Sequence, residues 1–166
     1  MNYADVNMKS QNITPLYMAS ENGKLDVVDL LIKNGANVNE KYNDVTPLCM
    51  ALTKGHIDIV KLLLEKEANV NIKSQNITPL FIASNKGHTT IVELLLEKHA
   101  DVNKKSNDIT PLYIASNNGH TAIVQQLLEK KAIAEKYNGV TPLSIALSKE
   151  HRDIVKLLLK KYKSHG

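Results

Sequence analysis

The sequence of 166 residues is poor in large aromatic side chains, with one Phe and no Trp. Because such side chains usually fill a single large core, Leu, Ile, Val and Ala must fill this interior in many thin layers. The single cysteine, Cys49, cannot form an intramolecular disulfide, which argues against a secreted fold held by disulfides. These absences indicate a layered fold built from aliphatic residues.

The sequence also lacks the patterns that membrane proteins and enzymes need. No apolar run approaches the roughly 18 residues of a membrane span, and the first residues lack the basic and apolar regions of a signal peptide. We therefore expect a cytoplasmic protein with no membrane partner. Zinc-ligand spacing, phosphate-binding loops and nucleophile elbows are lacking, and no Cys/His/Asn arrangement activates Cys49. We expect no enzyme activity, no catalytic residue, no cofactor and no metal.

The formal charge of +4 comes from lysines spread through the chain, with a denser stretch from Lys156 to Lys163. Dispersed Lys and Glu usually form solvated helix faces, and the dense stretch suits a solvated end of the fold. The alternative is an anionic partner such as nucleic acid. Nucleic acid is disfavoured, because the lysines are dispersed and aromatic stacking platforms are lacking.

What the sequence does contain is the tripeptide Thr-Pro-Leu five times, beginning at residues 14, 46, 78, 110 and 141. A nearly fixed period of this length indicates a stack of similar small units rather than one irregular globule. We predict a single repeat domain over residues 1–166, in which residues 1–9 are the tail of a partial repeat. The five predicted repeats span approximately residues 10–41, 42–73, 74–105, 106–136 and 137–166.

The third repeat illustrates how one unit is built. Thr78 suits an N-cap and Pro79 suits the first helical position, where its missing N–H is no loss. Gly87 suits the left-handed residue that ends this helix. A second helix over 90–97 is apolar on too many sides for an isolated helix, so neighbouring repeats must cover it. Turn-forming residues at 105–108 then lead into the next unit.

These residues resemble the ankyrin repeat, whose signature runs Thr-Pro-Leu-His-x-Ala, then Gly-His, Ile/Val-Val, Leu-Leu and Gly-Ala-Asp-Val-Asn. The resemblance covers almost the whole chain. It implies an all-α solenoid, an L-shaped and slightly curved stack of helix-turn-helix units joined by short β-hairpin-like loops. It also implies a non-catalytic scaffold that binds another protein through its hairpin tips and concave groove.

The sequence departs from this signature at several positions. The fourth repeat is one residue shorter and reads Ala132-Ile133-Ala134 where Ala-Asp-Val-Asn is expected. Non-Gly residues that stand where a left-handed glycine is expected each cost on the order of 1 kcal/mol. Those residues are Glu67, His99, Lys131 and Glu150. The signature histidine is replaced by Tyr17, Cys49, Phe81, Tyr113 and Ser144.

The residues that vary between units lie at the hairpin tips, the first of which is Gln11–Asn12, and at the ends of the first helices. By the resemblance, these positions form the partner-binding surface. The predicted partner-binding residues are Tyr42, Asp44, Lys54, Gln75, Asn85, Lys86, Asn107, Asp108, Asn117, Asn118 and Tyr137. The alternative is that Asn and Asp serve only the tight turns, although a turn does not require Tyr42 or Tyr137.

Two further positions, one before each Thr-Pro-Leu motif and one before the second helix, carry similar residues in several repeats. A β-branched residue precedes each Thr and predicts either an apolar docking strip or packing between hairpins. This row is Ile13, Val45, Ile77, Ile109 and Val140. A histidine row is interpreted as the start of each second helix rather than as a metal site, because repeats stack about 10 Å apart. This row is His56, His88, His120 and His151.

Two alternatives concern the array as a whole. Because Asp5-Val6-Asn7 is the tail of a repeat without its helices, the chain is interpreted as a fragment of a longer array, in which it serves as a structural spacer. End-to-end self-association is the other expectation. It rests on Tyr17 and Met18, which are predicted to be exposed on the first repeat.

Overall fold

The computed structural model of the chain describes residues 5–10 and 13–163. It divides the chain into two compact units, residues 1–75 and residues 76–166, and each unit is described by itself below. The first predicted hairpin tip, Gln11–Asn12, lies outside the described residues.

Both units consist of helix pairs, which confirms the predicted all-α repeat architecture. The first unit contains α1 (Pro15–Glu21), α2 (Leu25–Lys33), α3 (Pro47–Lys54) and α4 (Ile57–Glu65). The second unit contains α5 (Pro79–Lys86), α6 (Thr89–Glu97), α7 (Pro111–Asn118), α8 (Thr121–Glu129), α9 (Pro142–Ser148) and α10 (Arg152–Lys163). Isolated antiparallel bridges precede the first helices and form the hairpin-like loops. These bridges are Ser10–Ile13, Tyr42–Val45, Ser106–Ile109 and Tyr137–Val140.

Each first helix begins at the Thr-Pro-Leu motif. In the third repeat the Thr78 hydroxyl accepts a hydrogen bond from the Phe81 N–H at 3.1 Å, and Pro79 occupies the first turn. Thr14, Thr46, Thr110 and Thr141 cap their helices in the same way. Each cap satisfies a backbone donor that the helix itself leaves unpaired.

The ends of the helices are also determined by nearby residues, which adopt a left-handed conformation. Gly87 adopts φ +78° as the C-cap of α5, in the left-handed region that a glycine enters without a steric cost. The predicted left-handed non-Gly positions are confirmed, with φ +62° at Glu67 and +59° at Glu150. His99 and Lys131 share this conformation.

The second helices supply most of the core. In α6, Ile91, Val92, Leu95 and Leu96 are all buried, so this helix has protein on more than one side, as predicted. Val28, Val60 and Val124 occupy the position of Val92 in the first, second and fourth repeats, and each is 0% exposed. The core therefore consists of thin layers of aliphatic side chains, as the low content of large aromatic residues indicated.

The histidine row lies at the start of the second helices, as predicted, and also reaches the preceding repeat. In the first unit, His56 Nε2 donates to the Glu21 carbonyl oxygen at 3.0 Å. In the second unit, His120 Nε2 donates to the Asn85 carbonyl at 3.2 Å, and His151 Nε2 donates to the Asn117 carbonyl at 3.1 Å. These rings satisfy carbonyl groups at helix C-termini, which the helix leaves without partners.

The Val-Asn motif has a similar role in the loops. Asn39 Oδ1 accepts from the Asn69 N–H at 2.8 Å in the first unit. Asn103 Oδ1 accepts from the Ile133 N–H at the same distance in the second. Each asparagine thus ties its loop to the backbone of the following repeat.

The prediction that Tyr17 is exposed was wrong. Its side chain is 4% exposed because its ring packs against Tyr42. Met18 is 43% exposed, as expected. End-to-end self-association, which rested on both residues, stays a prediction that now rests on Met18 alone.

Two glycines with the same positive φ provide a test of the histidine contact. Gly119 and Gly139 both have φ +79°. A Cβ on Gly119 would lie 2.8 Å from Cε1 of His151, whereas a Cβ on Gly139 would meet nothing within 4 Å. We expect Gly139→Ala to lower the free energy of unfolding by about 1 kcal/mol through backbone strain alone. Gly119→Ala should lose about 1 kcal/mol more, because the ring is displaced from the Asn117 carbonyl.

Urea unfolding measures both values. In a His151→Ala background, the additional loss at Gly119 should disappear, since no ring remains to be displaced. Equal destabilisation by the two alanines in the wild-type background would contradict the proposed steric role of the histidine.

The burial of Cys49 gives a second prediction. The thiol is 1% exposed, and this burial raises its pKa, against smaller opposing effects of Ser74 and Thr46. Native protein should therefore react with an aromatic disulfide reagent on the order of 100-fold more slowly than urea-unfolded protein at the same pH. Reaction at the unfolded rate without denaturant would show that Cys49 is accessible after all.

Candidate functional site

The hairpin tips are tight turns whose shape determines most of their sequence. In the first unit, Tyr42 and Val45 exchange two backbone hydrogen bonds of 3.0 and 2.9 Å. Between them, Asn43 and Asp44 have φ values of +47° and +62°. Asn and Asp tolerate this left-handed conformation better than other side chains, so the turn itself accounts for them.

The second unit has the same geometry at its tips. Asn107 and Asp108 have φ values of +48° and +64°, and Asn138 and Gly139 have +48° and +79°. Asn76 Nδ2 donates to Asn107 Oδ1 at 3.0 Å, so two neighbouring tips are joined. For the predicted site residues Asp44, Asn107 and Asp108, turn formation is therefore a sufficient explanation of the residue type.

Asp44 is also the centre of a small polar cluster in the first unit. Its Oδ1 accepts from Lys41 Nζ at 2.7 Å, and its Oδ2 accepts from the Gln75 N–H at 2.9 Å. These two hydrogen bonds, with Lys41 the stronger, hold the pKa of Asp44 below its ordinary value. The structure thus brings the predicted residues Asp44 and Gln75 together. Lys41, which the sequence did not indicate, also donates to the Lys73 carbonyl at 2.8 Å.

The two tip tyrosines each pack on an aromatic ring of the preceding repeat. Tyr42 meets Tyr17 edge to face with ring centroids 5.0 Å apart, and Tyr137 meets Tyr113 in the same way at 5.5 Å. Both tip rings are half-buried. Burial raises the pKa of Tyr17, and Glu21 raises it further. Packing between repeats therefore covers part of each tip tyrosine, and the rest of each side chain is exposed.

Serine takes the place of tyrosine at the other two described junctions. The Ser74 hydroxyl accepts from the Thr46 N–H at 3.0 Å in the first unit. The Ser106 hydroxyl accepts from the Thr78 N–H at 2.9 Å in the second. The sequence could have indicated both kinds of contact between repeats, because the tyrosine or serine always stands four positions before a capping threonine.

The helix ends of the second unit hold a connected row of amide side chains. Asn117 Nδ2 donates to Asn118 Oδ1 at 2.7 Å. Asn118 Nδ2 in turn donates to the carbonyl oxygen and to Oδ1 of Asn85, at 2.9 and 3.0 Å. The structure thus brings together three predicted site residues from the ends of α5 and α7. The left-handed turn after each helix is formed by Gly87 and Gly119, so it does not require these asparagines.

Two predicted lysines end their helices. Lys86 is the last residue of α5; its side chain is exposed and has no hydrogen bond or ion pair within the described part of the chain. Lys54 ends α3 in the first unit, where its Nζ lies 3.9 Å from Glu21 Oε1. An exposed pair at this distance contributes little to stability. Both lysines are therefore available for contacts outside the fold.

His88 differs from the other members of its row. Its Nε2 is buried and has no hydrogen-bond partner among residues 5–10 and 13–163. Burial lowers the pKa of His88, and the charges of Lys86 and His120 lower it further. The folded protein therefore favours the neutral ring. Stability from the neutral ring is fully present above its ordinary pKa and is lost as the pH falls from there through the lowered pKa of the folded state.

The β-branched row lies beside the tips. Val140 is 36% exposed, and the other four members are half-buried. This burial is compatible with both interpretations given above, hairpin packing and a docking strip. In the described ranges, no group of three or more His, Cys, Asp or Glu is placed to hold a metal ion. No described helix is both long enough and apolar enough to cross a membrane.

Comparison with known proteins supports the same architecture. A family model of ankyrin repeats, covering three copies, matches the chain in three overlapping stretches, residues 1–74, 42–106 and 80–165. No curated protein matches the sequence. Ankyrin repeats are generally protein–protein interaction modules and are typically non-catalytic. Since the three stretches together span residues 1 to 165, the chain belongs to the ankyrin-repeat family.

Proposed function

We propose that this chain is a non-catalytic scaffold that binds a partner protein through the ends of its first helices and its hairpin tips. The observation that carries the proposal is the amide row Asn85, Asn117 and Asn118. These side chains are at the surface, are held in place by hydrogen bonds, and are not required by the turns beside them.

A fixed amide row suits the recognition of a polypeptide. Amide groups offer both donors and acceptors, so they pair with the backbone or polar side chains of a partner. Because Asn118 is already bonded to Asn85, little side-chain entropy is lost when a partner binds. Lys86, one residue after Asn85, adds a positive charge that favours a partner with an acidic group nearby.

The hairpin tips extend this surface. Asp108 is exposed and has no hydrogen bond or ion pair with the described residues, so its carboxylate is open to a partner. Tyr137 and Tyr42 are half-exposed rings held by packing on a second tyrosine, and tyrosine is a common anchor in protein interfaces. Asp44 and Gln75 are already bonded to each other and contribute a fixed shape rather than unpaired groups.

The proposal predicts that partner capture depends on the amide row. The wild-type chain and an Asn85→Ala/Lys86→Glu/Asn118→Ala variant serve as baits in extracts of the cells that express the protein. We expect proteins captured specifically by the wild type to be reduced about tenfold with this variant, since hot-spot truncation typically costs at least 1 kcal/mol. Quantitative mass spectrometry of the captured proteins measures the ratio.

The matched control is Thr90→Ala/Glu93→Ala, which changes two exposed residues of α6. Circular dichroism verifies that both variants remain folded. The control should capture the same proteins as the wild type. Equal capture by all three baits would refute binding at the helix ends. Absence of any specific protein would favour a structural spacer instead, and capture that disappears steeply with salt would favour a polyanion.

A further inference from the structure

The fourth repeat differs from the others at two adjacent loop positions. Its Ile133 N–H donates to Asn103 Oδ1, as the Asn69 N–H donates to Asn39 Oδ1, so Ile133 and Asn69 are equivalent. Asn or Asp occupies this position in the other repeats, at Asn37, Asn69 and Asp101. The next position is valine in the other repeats, at Val38, Val70 and Val102, and alanine at Ala134. The substitution of Asn or Asp by Ile133 leaves a large apolar side chain 57% exposed.

These changes accompany an apolar recess in the second unit. Leu128, Ala132 and Leu158 form its buried floor, Ile133 and Ala134 form one wall, and Lys131 and Lys161 lie at its rim. Its volume is about 420 Å³. An alanine at position 134 fills less space than the valine of the other repeats. We name this site the α8–α10 recess.

A second depression of about 350 Å³ continues it along the two helices. The two share Leu128 and Lys161, and the second adds Leu157 and Lys160. Glu129 also lines this part, where its carboxylate accepts from Gln125 Nε2 at 3.0 Å. The lining of the combined groove therefore includes three lysines, one glutamate and the apolar residues named above.

The form of this groove selects the class of occupant. Pockets for small molecules enclose most of the ligand surface, whereas both depressions are open to solvent. An open apolar groove suits side chains that project from a protein segment, most often one face of a helix. The lysines favour carboxylates on the same segment through electrostatic complementarity.

We propose that the α8–α10 recess binds an acidic segment of a partner protein, which inserts apolar side chains against Leu128, Ile133 and Leu158. This site is separate from the amide row of the helix ends. It does not depend on binding there.

The repeats themselves supply conservative variants for the test. Ala134→Val introduces the residue of the third repeat, Val102, and should fill the recess. Lys131→Glu introduces the residue of the second repeat, Glu67, which adopts φ +62° against +63° at Lys131. Each variant is thus accepted at an equivalent position of the same chain, so neither is expected to disturb folding.

The probe is a fluorescein-labelled helical peptide of about 14 residues with leucines at positions i, i+4 and i+7 and glutamates on the other faces. Fluorescence anisotropy measures its affinity, and ¹⁵N–¹H spectra locate the contact. We expect the wild-type chain to bind the peptide, with chemical-shift changes concentrated at residues 128–134 and 157–161. Ala134→Val and Lys131→Glu should each weaken binding about tenfold.

Two control peptides and two control variants separate specific from general effects. Peptides with Leu→Ala or Glu→Lys changes should bind at least about tenfold more weakly. Lys98→Glu, a matched charge change at the end of α6, and Asn85→Ala/Asn118→Ala should leave binding unchanged. Absence of binding to the wild type would overturn the proposal. So would shift changes elsewhere, or equal losses with Lys98→Glu and Lys131→Glu. Loss with the Asn85→Ala/Asn118→Ala variant would place the peptide on the helix-end surface instead.

Discussion

The structure depends on the burial of short helices against one another, because none of them is long enough to be stable alone. The helices have 7 to 12 residues, and isolated helices of this length are marginal in water. The fully buried row of Val28, Val60, Val92 and Val124 shows where the stabilisation comes from: each lies inside its own unit with no exposed surface. Threonine caps then fix where each first helix begins, so that these apolar faces meet in register.

Polar contacts between repeats set the details of this packing. Helix ends leave carbonyl groups unpaired, and the following repeat supplies a donor, as His120 does for Asn85 and His151 does for Asn117. In the loops, an asparagine such as Asn103 accepts from the next backbone N–H. Contacts of both kinds occur in each unit, so the residues that make them have less freedom to differ. Variation is left to positions whose side chains these contacts do not use.

Local physical chemistry made much of the fold predictable from the sequence. The roles of Thr78, Pro79 and Gly87 follow from cap and turn chemistry within a few residues, and the structure confirms them. Contacts between residues about 25 to 35 positions apart were not predictable in this way. The packing of Tyr42 on Tyr17 depends on how one loop lies against the preceding helix, and this geometry reversed the expected exposure of Tyr17. A period in the sequence shows that such contacts exist without showing which atoms make them.

The same distinction separates the candidate site residues. At the tips, positive φ values explain Asn107 and Asp108 without reference to a partner, so their residue type carries little information about function. At the helix ends, glycine forms the left-handed turn. Backbone geometry therefore does not explain why an asparagine such as Asn118 stands beside it. Its hydrogen bonds to Asn85 stabilise the repeat junction, yet they also hold an amide surface fixed in solvent. A residue that the fold allows to vary, and that packing nevertheless immobilises, has the properties that a binding surface requires.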